Sequence, residues 1–254
     1  MGSESLADRL ADQLLDQVVR GELAVDEALP SEGEIAAQAG VSRLTVREAV
    51  KVLRTKNIVR VKRGRGTYVN APDQWTDLEL VLRLAGRRSG SSTAALGLLE
   101  AQRILETGAA ELCAQRRSEA DLALLGTHVA EMDKAVAEHD AAAFVRAELA
   151  FHSTVLRSCG NVFVPAMCGP LERMLLRLHT RAAHVVQVRR RTLRHHRRIL
   201  AEITAGSPAA ARAAMNAHLE QTAEDLLRHG VGGAADSAPA ARGTLRRPVG
   251  DSAR

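Results

Sequence analysis

The stretch Leu29–Val69, LPSEGEIAAQAGVSRLTVREAVKVLRTKNIVRVKRGRGTYV, decides how the first part of the chain folds. Ser31 precedes Glu34 by three residues. In that pairing each side chain satisfies a free backbone N–H at a helix start, so a short helix begins there. Gly40 stops it, and Ser42 caps a second helix whose apolar face is Val46, Ala49, Val50 and Leu53. After Asn57 the pattern alternates: Ile58 and Val59 open one strand, Thr67, Tyr68 and Val69 form another, and Gly64 and Gly66 permit the turn between them. Two short helices across a tight glycine turn, followed by a hairpin, read as a helix-turn-helix with a two-stranded wing.

The charge along this stretch points the same way. Residues 1–41 carry two arginines against nine acidic residues, a net of −7, whereas residues 42–66 carry nine basic residues against Glu48 alone, a net of +8. Such a local concentration is the electrostatic footprint of a phosphate-binding surface. Arg43 and Arg47 are four apart and share a helix face opposite the Val46–Leu53 stripe, which Arg54 extends. The second helix of such a motif enters the DNA major groove with its N-terminal residues. There an arginine can grip guanine O6 and N7, a contact worth about 1–3 kcal/mol of discrimination. Thr45 suits a base or a phosphate, and Lys62, Arg63 and Arg65 at the wing tip suit phosphate or minor-groove contact.

Leu29–Val69 resembles the winged helix-turn-helix of the GntR family of bacterial transcription regulators, nearly unbroken, with the VSRxxVREA core as its most specific part. The resemblance implies a homodimer on a short palindromic operator of double-stranded DNA. It also implies DNA contacts from Arg43, Thr45 and Arg47, with Gly64 and its wing neighbours helping. The expected contact set is Ser42, Arg43, Thr45, Arg47, Lys62, Arg63, Gly64 and Arg65. Two positions depart from the family pattern: Gly33 stands where an arginine is frequent, and Leu44 where threonine or proline is usual.

Outward from this motif, Leu6, Leu10, Leu14 and Val18 form one stripe of a preceding helix that Gly21 ends. The winged domain is expected over 1–70, a linker and connecting helix over 71–92, an all-α antiparallel bundle over 93–229, and a disordered Gly-, Ala- and Pro-rich tail over 230–254. Helix breaks are expected near Arg117–Ser118, His139–Asp140, Cys159–Asn161 and Gly206–Pro208. Of 254 residues 46% are hydrophobic but only 2% aromatic, so the core is aliphatic and the fold mainly α. Cys113, Cys159 and Cys168 form no CxxC pair and read as buried thiols in a reducing compartment. With no signal peptide and no apolar run near the length of a membrane span, a cytoplasmic location without membrane contact is expected.

The bundle contains a second constellation. Phe144, Phe151 and Val155 make a core-facing stripe that also includes Glu148 and His152, four residues apart. His196 falls on the stripe of Leu193, Ile199, Leu200 and Ile203, with His195 competing for the inward position. His218 lies with Ala211, Met215 and Thr222. Inward carboxylates and imidazoles need partners. A satisfied core histidine is one reading of each; a site for Zn²⁺, Mn²⁺, Ni²⁺ or Fe²⁺ is the other.

The stretch from Thr93 to His229 resembles the all-helical FCD effector domain of FadR-like members of the GntR family, carried by AQRILETGAAELCAQR, FHSTVLRSCGN and HRRILAEITAGSPAAARAAMNAHL. The resemblance implies a divalent transition metal held by Glu148, His152, His196 and His218, with Glu148 replacing the more usual aspartate of a DxxxH pattern. It also implies a small organic-acid effector assisted by Arg103, for which a surface ion pair with Glu100 or Glu106 is the competing reading. A cation and a guanidinium in a helical cavity favour an anion on physical grounds as well. The basic run Val188–Arg198 reads first as a solvated helix face. These residues point to a transcription regulator, expected to be a repressor and not an enzyme. Two alternatives stand beside it: the same regulator without metal, sensing a larger ligand such as an acyl-CoA, and a metal-dependent hydrolase fused to a DNA-binding domain.

Overall fold

The computed structural model describes residues 5–230. The expected tail lies, from residue 231 onward, outside the described residues. Two units share the chain, the first running to Arg88 and the second starting at Ser89.

The first unit opens with α1 (Leu6–Arg20), α2 (Glu32–Ala39) and α3 (Arg43–Thr55). Ser31 caps α2 in the reciprocal arrangement with Glu34, and Gly40 ends it at φ 65°, a conformation that costs glycine little. Leu10, Leu14 and Val18 of α1 pack with Ile35, Val46, Ala49 and Leu53, whereas Leu6 at the helix start is 58% exposed. Antiparallel β1 (Val59–Lys62) and β2 (Gly66–Val69) form the wing, in register from Val59 opposite Val69 to Lys62 opposite Gly66. The segment before α2 extends this small sheet, since Ala28 bridges to Tyr68 and Leu29 N–H donates to the Thr67 carbonyl at 2.8 Å.

The stretch after the wing is built into the same unit. Asn70 is buried and donates from Nδ2 to the Asn57 carbonyl, while the Trp75 indole N–H donates to the Asn70 carbonyl at 3.2 Å. Trp75 and then Leu80 and Leu84 of α4 (Leu78–Ser89) join the core of α1–α3 and the wing. Lys56 and Asp77 form an ion pair at 3.0 Å that closes the same corner.

The second unit is entirely helical among its described residues: α5 (Ser91–Arg116), α6 (Glu119–Ala137), α7 (Ala141–Ser158), α8 (Phe163–Ala183), α9 (Val186–Thr204) and α10 (Pro208–Asp225), with a π-type turn at Leu226–Gly230. The four expected breaks are all present, and a fifth at His184–Val185, between α8 and α9, was not expected. Ser118 caps α6 with Asp121 in reciprocal hydrogen bonds, and Asp140 caps α7. The core holds Leu125, Met132, Phe144, Phe151, Ile199, Ile203 and Met215. All three cysteines are free and buried, and burial pushes the Cys113 and Cys168 thiols up to about 12. No described helix is long and apolar enough to cross a membrane.

Candidate functional site

The basic face of the first unit starts at the cap of α3. Ser42 Oγ accepts from the Thr45 backbone N–H at 3.1 Å and lies 2.9 Å from Thr45 Oγ1, so the hydroxyl that starts the helix also orients the threonine beside it. Ser42, Arg43, Arg47 and Arg54 are exposed, and Thr45 is half-buried. Arg47 Nε is 3.2 Å from a Glu32 carboxylate oxygen on α2, a contact between half-exposed groups that leaves the guanidinium at the surface. Gly33 has a local role: a Cβ there would stand 3.1 Å from Arg43 Nη2, so the missing side chain makes room for that guanidinium. Leu44 projects into solvent at 68% exposure, with no apolar packing to account for it. At the wing, Lys62, Arg63, Gly64 and Arg65 are all exposed, and the Lys62 ammonium lies 4.5 Å over the Tyr68 ring. All eight residues expected to touch DNA thus belong to α3 with its cap, or to the wing.

In the second unit, α7, α9 and α10 bring Glu148, His152, His196 and His218 together, all buried, with potential ligand atoms within 4.8 Å of one another. His196, not His195, takes the inward position on α9. The Phe151 ring stands edge-on to His196, centroids 4.8 Å apart, and fixes the apolar side of the group.

The hydrogen bonds around the cluster assign protons. His152 Nδ1 lies 2.5 Å from Glu106 Oε2 on α5, and His196 Nδ1 lies 2.9 Å from the Thr192 carbonyl. An ionised carboxylate and a carbonyl only accept, so both Nδ1 atoms carry protons and both Nε2 atoms face the centre. There His152 Nε2 is 3.1 Å from His218 Nε2 and 3.2 Å from His196 Nε2. Three ring nitrogens at this separation need a proton or a cation among them. Burial disfavours charge on His152, but Glu106, then Glu148 and Glu172, push it up to about 9. Burial and the neighbouring His152 drive His196 down to about 4, and burial with four imidazoles nearby, His196 first, drives His218 well below its ordinary value. Among the three rings, a proton is thus favoured most on His152, beside the Glu106 carboxylate. His218 Nδ1 is buried without a hydrogen-bond partner. Convergent ring nitrogens, a buried carboxylate and an orphaned imidazole nitrogen fit a divalent transition metal in donor chemistry.

Three further residues belong to the site although the sequence reading did not place them there. Glu106, read as a possible surface partner of Arg103, is buried on His152, and Gln102 Nε2 donates to its other oxygen at 2.7 Å. His179 of α8 is buried with Nδ1 3.5 Å from Glu148 Oε1. Burial raises Glu148, but His179, then His196 and His152, outweigh it and hold the carboxylate below its usual range. The signal was available: Gln102 and Glu106, like Leu175 and His179, recur every four residues within apolar stripes.

A small cavity adjoins Glu148 and His179 and is lined also by Phe144, Thr192, Gln221, Thr222 and Asp225. Arg103 is not among its lining residues. Its Nη1 is 3.3 Å from Glu220 Oε1 and 3.5 Å from Asn216 Oδ1 on α10, in a half-exposed ion pair. In the basic run of α9, Arg190, Arg194, Arg197 and Arg198 are exposed, but Arg189 is buried and donates to the Ala183 carbonyl.

Comparison with known proteins bears on both units. The family model for bacterial regulatory proteins of the gntR family matches residues 6–69, and the FCD domain model matches residues 97–221. The HTH-type transcriptional regulator LutR of Bacillus subtilis (strain 168) is 30% identical over 220 residues, covering 83% of this chain and 95% of its own. The galactonate operon transcriptional repressor of Escherichia coli (strain K12) is 29% identical over 155 residues, covering 61% of this chain and 67% of its own. Among solved structures, Lar, which controls expression of the Listeria monocytogenes agr system, matches with a TM-score of 0.55 at 20% identity, covering 90% of this chain and 99% of its own, a likeness of fold.

Proposed function

The chain belongs to the gntR family of bacterial regulatory proteins and carries an FCD domain, and from that premise we propose that it is a repressor released from its operator by a small hydroxy- or sugar-acid anion bound beside a metal. Its relatives are named transcription regulators, two of them repressors, and not enzymes. The winged unit makes it a DNA-binding protein. Arg43 and Arg47 read bases in the major groove with Thr45, exposed Leu44 offers apolar contact to a thymine methyl, and Ser42, Lys62, Arg63, Gly64 and Arg65 hold the phosphates. As in FadR-like members, a homodimer on a palindromic operator places two such helices about one helical turn apart.

The observation that carries the effector half is the buried group Glu148, His152, His196 and His218, with ligand atoms within 4.8 Å of one another and a small cavity of mixed polar and apolar lining beside Glu148. These four residues would hold the metal, which supplies a fixed positive charge that an anion can meet in a low-dielectric site. His179, Thr192 and Gln221 on the cavity wall offer hydrogen bonds to hydroxyl and carboxylate oxygens of a small ligand. The name of the E. coli relative, a galactonate repressor, fits an acid of this class. Operator release then follows by linkage: an anion that binds the DNA-free form more tightly lowers operator affinity by the same factor.

The test is a thermal-shift screen of the full chain against small hydroxy and sugar acids, with and without a chelator. An acid that raises the midpoint only in the metal-loaded protein, and that releases an operator fragment, bears the reading out. A flat screen with no chelator effect removes the metal-dependent effector site and leaves the DNA-binding assignment standing.

A further inference from the structure

We propose that Glu106 and Gln102 of α5 are positioning residues that decide which nitrogen of His152 faces the metal. The inference rests on the metal-site reading above and adds a helix, α5, that contributes none of the four candidate ligands. Glu106 is 1% exposed and its two carboxylate oxygens have separate tasks. Oε2 lies 2.5 Å from His152 Nδ1, and Oε1 accepts from Gln102 Nε2 at 2.7 Å. The amide of Gln102, itself buried, holds the carboxylate in plane, and the carboxylate in turn holds the imidazole.

The consequence is geometric. A histidine on a helix can present either ring nitrogen to a ligand, and in solution neutral imidazole favours the proton on Nε2, the atom that must here be bare. Glu106 reverses that preference by accepting from Nδ1–H, so Nε2 becomes the donor at the centre beside His196 and His218. On α9 the same task falls to a backbone carbonyl, that of Thr192. His218 has no such partner. Two of the three imidazoles are thus oriented before any metal arrives, one by a side chain that mutation can remove. The charges also close: a dication with the Glu106 and Glu148 carboxylates and three neutral imidazoles sums to zero, which suits a buried site.

Two variants of the full chain test this. Glu106→Met keeps the volume and removes the acceptor. The exchange Gln102→Glu with Glu106→Gln keeps one carboxylate and one amide in the pair: Glu at 102 can only accept, so the Gln at 106 turns its NH₂ toward 102 and its oxygen toward His152 Nδ1. Two readouts apply: Zn²⁺ affinity by competition with a chromophoric chelator, and the imidazole ¹⁵N shifts of His152 in metal-free protein. Wild type carries a proton on Nδ1 whether the ring is charged or neutral. Glu106→Met is expected to leave Nδ1 bare with the proton on Nε2 and to weaken Zn²⁺ about ten- to a hundredfold, and the exchange to restore the Nδ1 proton and bring the affinity to within about fivefold of wild type. A bare Nδ1 in the wild type, a loss under about fivefold in Glu106→Met, or a folded exchange variant that does not recover proton placement and affinity overturns the proposal. If Glu106→Met does not fold, the exchange variant alone decides it. A wild type with Nδ1 protonated but no Zn²⁺ affinity counts against the metal reading instead, because the ¹⁵N measurement needs no metal.

Discussion

The basic face of α3 and the imidazole cluster of the second unit use charge in opposite surroundings. Arg47 is 69% exposed on its side chain and touches one carboxylate, whereas His196 is 0% exposed and meets two histidines, a phenylalanine and a backbone carbonyl. Water screens the first kind of site, so each residue there acts nearly alone, and its proposed worth lies in what it reaches on DNA. In the second kind every group depends on its neighbours, because an unpaired charge or lone pair has no water to answer it. The contrast teaches that losses at the cluster are steep and coupled, and losses at the recognition face graded and additive.

The steepest effect follows from removing one of the proposed metal ligands. His196→Ala takes away a donor whose Nε2 lies 3.2 Å from that of His152, and metal uptake is expected to fall by orders of magnitude while effector-free operator binding stays within a few-fold. Metal content after dialysis and an operator titration check the two halves. A variant that keeps both metal and effector response breaks the coupled picture.

At the recognition face, Arg47→Ala is expected to cost about 1–3 kcal/mol of specific operator binding and to relax the preference at one base. Arg65→Ala at the wing weakens all sequences alike and lowers the salt slope by about one unit. Titrations on operator and scrambled DNA at several salt concentrations separate the two. If the double variant is far from additive, the exposed face is coupled after all.

How much was legible follows the same division. The capping box of Ser31 and Glu34, the stop at Gly40, the Val46–Leu53 stripe and the Gly64–Gly66 turn are local, and local rules place them. The four inward donors were legible as stripes on three helices, since each sits at helical spacing with apolar neighbours. What spacing cannot say is which helix faces which. Glu106 sits three residues from Arg103, so along the sequence it reads as that residue's partner; the fold turns it inward to His152 and gives Arg103 to Glu220 of α10. Pairings between helices that lie 46 residues apart in the chain, as for Glu106 and His152, are decided by packing alone.

The cluster also sets a pH signature of its own. His152 is raised from 6.5 to about 9, so its stabilising contribution is whole below about 6.5 and lost as pH rises toward 9. His196, lowered to about 4, works the other way: the unfolded chain takes up a proton that the folded state refuses, so stability falls as pH drops below about 6.5. Chelator-treated protein is therefore expected to melt highest near pH 6.5. With metal bound the alkaline limb reverses, because the ligands must be deprotonated and metal competes with the proton on His152. Melting curves across pH 5–9 with and without chelator read this directly, and identical limbs in both states count against a metal at the histidines.

The smallest expected effect sharpens the comparison most, because Arg103 stands between its two sides. It belongs to the helix that supplies Glu106, yet its guanidinium is 40% exposed and pairs at 3.3 Å with Glu220, itself 54% exposed. An ion pair that open is worth about 0–1 kcal/mol, so Arg103→Ala is expected to shift the melting midpoint by only a degree or two. The effector response then discriminates. If Arg103 remains with Glu220, the acid concentration giving half-release of operator stays within about threefold of wild type, since no hydrogen bond to the ligand is lost. A loss of tenfold or more with unchanged melting means that the guanidinium leaves Glu220 for the anion, and that a residue with surface energetics serves the buried site.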